Sequence, residues 1–220
     1  MRNSGKPARP FSPAGDNLFS PRGFSFIEMM VASVVLVLIG GSVSTLMFQG
    51  QRSYQSQRGM IEVAQQGRIG MEQIISFVRQ AGNDPEETGI TPIQILGANH
   101  IRINSDLTGL EGGLGDPDGD IDDLYEQVVV RHDTTAPGYV KIDLADGNGE
   151  RILIENIPSG DFVISPLNAS GSVTATEADI RAVRVEMKVR TAQEDLQTGN
   201  IQSITLRSEA YLRSQSYAPF

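Results

Sequence analysis

A Gly-Phe junction, Gly23-Phe24, sits directly after Arg22 and five residues ahead of a lone carboxylate, Glu28. Behind Glu28 runs an apolar stretch, Met29 to Phe48, of 20 residues without a Lys, Arg, Asp or Glu. A bilayer core takes ~20 apolar residues of helix to cross. A carboxylate in that environment costs on the order of 2.5–3.5 kcal/mol, so it is usually kept because it has a partner. Hydrolysis after Gly23 would create that partner by turning Phe24 into a new N-terminus with a free ammonium. In a helical assembly, Glu28 of one subunit could pair with the Phe24 amine of the next and set the axial register. The plainer role for Glu28 is to cap its own helix, whose N-terminus favours negative charge.

A second group of chemical residues is the run Asp116, Asp118, Asp120 and Asp122, with Asp123 beside it. Hard oxygen ligands at every second position of a tight loop suit calcium, which takes 6–8 of them. The loop is not a standard EF-hand: Gly119 comes early, and the twelfth position counted from Asp116 is Gln127. Glu126 could serve only if the loop were distorted. Asp-Gly and Asp-Pro also form ordinary solvated turns, which is the competing reading.

Catalytic patterns are missing. His100 and His132 have no partner by spacing and read as strand-edge residues. No Ser-His-Asp, HExxH or P-loop arrangement occurs, so the sequence supports no enzyme activity. Without cysteine, disulfides and thiolate-bound zinc are excluded. Asn168-Ala169-Ser170 fits a glycosylation acceptor pattern but carries little weight.

These groups need elements to position them. Met60, Ala64, Gly67, Met71, Ile74, Val78 and Ala81 recur at spacings of four and three, one stripe of a helix. Arg58, Glu62, Gln65, Glu72 and Arg79 fall on the other face. Gly82-Asn83 and Asp84-Pro85 form a stop. A helix from about Ser25 to Ala81 would be on the order of 85 Å long, with Gly40-Gly41 and Gly50 as weak points.

Strand patterns follow at Ile93–Leu96, His100–Asn104, Gln127–Arg131, Tyr139–Leu144, Arg151–Asn156, Asp161–Ile164, Ala182–Arg190 and Ile201–Leu212. In Ala182–Arg190 the apolar Val183, Val185, Met187 and Val189 alternate with charged residues. Alternation broken by turns predicts one antiparallel sheet with a wet face. The fold class is therefore α+β, a lollipop with a long N-terminal helix packed on an antiparallel β-sheet head. Residues 1–23 are a leader, 24–48 a membrane-crossing segment, 49–83 an amphipathic continuation and 84–220 the head. Tyr217 and Phe220 read as part of a tail.

Residues 1–23 carry four basic side chains against one acid, net +3, and the whole chain carries −9, leaving −12 beyond the junction. Positive charge before an apolar helix holds that end in the cytoplasm and sends the rest across. No small-residue cleavage site follows the apolar run, so it is kept in the mature protein. An acidic bulk surface argues against nucleic acid as partner.

Gly23-Phe24-Ser25-Phe26-Ile27-Glu28 resembles the processing site of type IV prepilins and type II secretion pseudopilins. Further features resemble PilW-type minor pilins in their order. They are Arg68 with Arg79-Gln80-Ala81-Gly82, His100-Ile101-Arg102-Ile103, an acidic Gly-rich loop into Glu126-Gln127-Val128-Val129-Val130-Arg131, Val183-Arg184-Val185-Glu186-Met187, and Leu206-Arg207-Ser208.

The resemblance implies cleavage between Gly23 and Phe24 by a prepilin peptidase, methylation of Phe24, and an assembly role for Glu28. It implies a structural subunit held in the inner membrane with its head in the periplasm, then moved into a pilus through contacts of its N-terminal helix with other pilin subunits. It also implies a part in priming pilus assembly. Pili of this kind serve motility and cell adhesion. Two alternatives stand beside it: a J-type minor pseudopilin of a type II secretion system, and a calcium-dependent adhesive pilin head.

Overall fold

The computed structural model describes residues 23–107, 117–195 and 198–212. The element order is one helix, α1 (Phe26–Gln80), then β1 (Ile93–Gly97), β2 (His100–Asn104), β3 (Gln127–Asp133), β4 (Tyr139–Asp143), β5 (Arg151–Glu155), β6 (Phe162–Leu167), a short 3-10 turn (Glu177–Asp179), β7 (Ala182–Glu194) and β8 (Ile201–Tyr211). The class is α+β, with a long N-terminal helix packed on antiparallel strands, as the periodicities imply. The chain divides into two compact units, one ending at Gln49 and the other beginning at Gly50.

In the first unit every described residue is exposed, from Gly23 to Gln49. Its backbone is helical straight through Gly40 and Gly41, where the sequence allowed a break. The hydroxyls of Ser33, Ser42 and Thr45 donate to the carbonyls of Met30, Leu38 and Gly41 at 2.8–2.9 Å. These three hydroxyls are thus satisfied by the helix's own backbone.

In the second unit the predicted stripe is the packed one. Gly67, Met71, Ile74, Val78 and Ala81 are buried, Met60 and Ala64 half-buried, and Arg58, Glu62, Gln65, Glu72 and Arg79 exposed. Two glycines let strands approach the helix closely. A Cβ on Gly67 would stand 2.7 Å from Leu206 Cδ1 of β8, with Val189 of β7 at 3.1 Å. A Cβ on Gly70 would run into Cγ1 and Cδ1 of Ile154 on β5. Gly82 ends the helix with φ +70° and donates its N–H to the Asn104 carbonyl at 2.8 Å.

The sequence predicts one sheet, and the structure has two. Strands β1 to β5 form an antiparallel meander, and β6, β7 and β8 form a separate three-stranded sheet. The break falls between β5 and β6, where Asn156 and Gly160 have positive φ and Pro158 has no N–H for a ladder. Asn156 gives its carbonyl to Arg190 N–H, and Asp161 gives its carbonyl to Lys188 N–H. Each of these bonds joins the linker to β7. Asn99, at the β1–β2 turn, also bridges the sheets: its carbonyl accepts from His132 N–H and its Oδ1 from Ile164 N–H. Both inner faces share one apolar core around Ile74, Val78, Val130, Val140, Ile154, Phe162, Val185 and Val189.

Candidate functional site

Ser25 is the cap residue of α1, and Glu28 sits in its first turn. Glu28 Oε2 accepts the Ser25 backbone N–H at 2.8 Å. This is the returning half of a capping box, and it leaves Oε1 facing outward on an exposed side chain. The capping role that the sequence offered for Glu28 is therefore present, and it uses one of two carboxylate oxygens. Phe24 is 89% exposed, and Phe26, Ile27, Met29 and the following apolar residues stand open as well. Gly23 has open space around it. Among the described residues, α1 is the one helix long and apolar enough to cross a membrane.

The acidic corner lies at the other end of the helix, where its C-terminus meets the segments that follow β2 and precede β3. Asp116 is outside the described residues. Asp118 Oδ1 accepts Asp120 N–H at 3.4 Å, and Asp120 Oδ1 accepts Asp122 N–H at 3.2 Å. Asp118 and Asp120 thus turn their carboxylates toward the loop's own backbone in successive Asx turns. Among the described residues, no group of three His, Asp or Glu side chains forms a ready-made metal seat.

Beneath this loop are two acids, Asp106, which the sequence did not single out, and Glu126, which it offered only as a ligand of a distorted loop. Asp106 is fully buried, and its Oδ2 accepts the Gly119 N–H at 3.0 Å. Glu126 is fully buried too: Oε1 accepts Leu107 N–H at 2.9 Å and Oε2 accepts Asp123 N–H at 3.1 Å. Glu126 thus clamps the two ends of the β2–β3 excursion together.

Burial pushes the Asp106 carboxyl above its ordinary pKa. The backbone N–H groups of Gly119 and Asp118 oppose the shift, and the like charges of Glu126 and Asp118 add to it. Nearby, Asp84 accepts backbone N–H groups from Thr88, Gly89 and Ile90. Burial alone would raise its pKa, yet those donors together hold it low. The only sequence signal for Asp106 is a polar triple, Asn104-Ser105-Asp106, at a strand end, which looks the same as any solvated turn.

His132 Nε2 lies 2.8 Å from the Ile157 carbonyl, and its ring meets Phe162 at a centroid distance of 5.5 Å. Another unforeseen group is Asp195, which receives the Ser56 hydroxyl of α1 and the Gln202 amide, and whose Oδ1 accepts Thr198 N–H at 3.0 Å. It fixes the β7–β8 connection to the helix. Asn168 Oδ1 is held by Ser170 and Ser172 within its own turn.

No family model, curated protein or solved structure matches the chain.

Proposed function

We propose that the chain is a minor pilin, a structural subunit of a type IV pilus that acts in pilus assembly. One observation carries the reading. An exposed apolar helix begins with a carboxylate that uses one oxygen for its own cap and presents the other outward. Cleavage after Gly23 leaves the Ser25 N–H in place, so the cap survives processing. The outward Oε1 is then available to the Phe24 ammonium of a neighbouring subunit. In an apolar bundle such a pair is worth more than in water, because the surroundings screen it less.

The remaining roles follow from this pairing. The free subunit rests in the inner membrane through Met29–Phe48, with its head in the periplasm. Other pilin subunits bind along the same helix after extraction. Prepilin peptidase cuts at Gly23-Phe24 and methylates Phe24. The head contributes no catalysis.

Mass spectrometry of the protein recovered from its host membrane tests the reading. A mature chain starting at methylated Phe24 is expected. Retention of residues 1–23 in the membrane-bound protein would overturn it.

A further inference from the structure

We propose that the acidic corner of the head is a binding site for a hard divalent cation of the calcium class, with Asp106 as its buried anchor. The inference stands on head residues alone and is independent of the pilin reading.

Asp106 is fully buried, and its Oδ1 has no hydrogen-bond partner. The carboxylate is aimed into the acidic loop, since its other oxygen accepts the Gly119 N–H. Asn104, two residues earlier, is also buried, and its Oδ1 likewise has no hydrogen-bond partner. No Lys or Arg pairs with Asp106 among the described residues. Buried carboxylates are normally paired with a cation or coordinated to a metal.

The available donors are all oxygens: carboxylates and one side-chain amide. That set selects calcium or magnesium over zinc or copper. A site supplied partly by a loop, with no octahedral frame, favours calcium over magnesium. The α1 C-terminus, with its partial negative charge, meets this corner through the Gly82 N–H to Asn104 carbonyl bond and adds to the attraction.

The further ligands come from Asp118 and Asp120. Both are exposed on the loop and accept loop N–H groups at 3.4 and 3.2 Å, and their carboxylates would turn from the backbone to close on the cation. The cation would then tie the β2 end to the loop before β3. This assignment differs from the one the spacing alone suggests. The alternating aspartates become the outer ligands, and the anchor is a residue more than ten positions earlier in the chain.

The full-length protein in detergent is titrated with calcium and followed by thermal melting. Terbium luminescence gives a second readout, with Tyr125, 47% exposed and next to Glu126, as the sensitiser. At about a hundredfold excess of calcium over its Kd, the melting temperature is expected to rise by roughly 5–10 °C relative to chelator. Magnesium is expected to give less.

Asp106→Asn keeps an acceptor for the Gly119 N–H but removes the charge. It is expected to weaken calcium binding by at least about tenfold. Should that variant fail to fold, the exposed double change Asp118→Asn with Asp120→Asn is expected to weaken binding in the same way. A melting temperature that ignores millimolar calcium would overturn the proposal. So would a folded Asp106→Asn protein with the natural calcium response.

Discussion

Two glycines of the same helix allow the contact between α1 and β5 to be isolated as an energy. Gly59 and Gly70 are both interior to α1, so changing either to Ala gains the same helix propensity, about 1 kcal/mol. Their surroundings differ. At Gly59 the nearest atom to a new Cβ is Thr191 Cγ2 at 4.0 Å, an ordinary contact. At Gly70 the new Cβ meets Ile154 Cγ1 and Cδ1, and Ile154 is fully buried, with no room to swing away. Overfilling a packed site of this kind costs about 1–3 kcal/mol.

Gly59→Ala should therefore stabilise the protein by about 1 kcal/mol. Gly70→Ala should fall below it by about 1–3 kcal/mol, because the propensity gain cancels in the comparison. Urea unfolding in detergent, followed by the circular dichroism of the strands, measures both. Adding Ile154→Val to Gly70→Ala removes the Cδ1 in the way. The pair should recover much of the loss, although Ile154→Val alone costs about 0.5–1.5 kcal/mol. Equal stability of the two alanine variants would refute the claim that Gly70 exists to seat β5.

Other expectations follow from the same structure. On the proposed pilin function, Glu28→Leu should leave membrane insertion intact and abolish recovery of the subunit in sheared filaments; equal incorporation would remove the pairing argument. Asp133 is held well below the usual carboxylate range, first by the Lys141 ammonium at 2.6 Å, and Glu150 is lowered chiefly by Arg131. Because the folded form binds fewer protons than the unfolded one, this contribution is present above the unfolded carboxylate value, about pH 4. It fades as the pH falls below that value, so melting temperature should drop on going further into acid, with a shallower drop in Asp133→Asn. Gly138 has φ +92° and would push a Cβ into the Ile157 carbonyl. Gly138→Ala should therefore be among the most damaging single changes in the head, read as lost yield of folded protein. Asp195→Ala should raise amide exchange in the β7–β8 connection, since the Thr198 N–H loses its acceptor.

Much of the fold was legible because it rests on short-range pattern. The four-three stripe of α1 and the strict alternation of Val183, Val185, Met187 and Val189 each place a residue by its local period, and burial follows those periods. The division into two sheets was not legible. It depends on where the 156–161 linker sends its carbonyls, and those partners lie on β7, some thirty residues away. The helix start was readable in outline, since a carboxylate three residues after Ser25 is a capping signal. The acidic corner was half readable. Alternating aspartates announce themselves, whereas Asp106 and Glu126 matter because they are buried, and burial of a lone acid leaves no periodic trace.

The placement of Gly67 and Gly70 also has a mechanical consequence. One notch seats β8 and its neighbour Val189, and the other seats Ile154 on β5, so the two grips sit on different sheets one helical turn apart. A pull along this part of α1 is therefore shared between the sheets from the outset. Neither can be peeled off strand by strand while the other stays anchored, and the head should yield abruptly under tension, as one body.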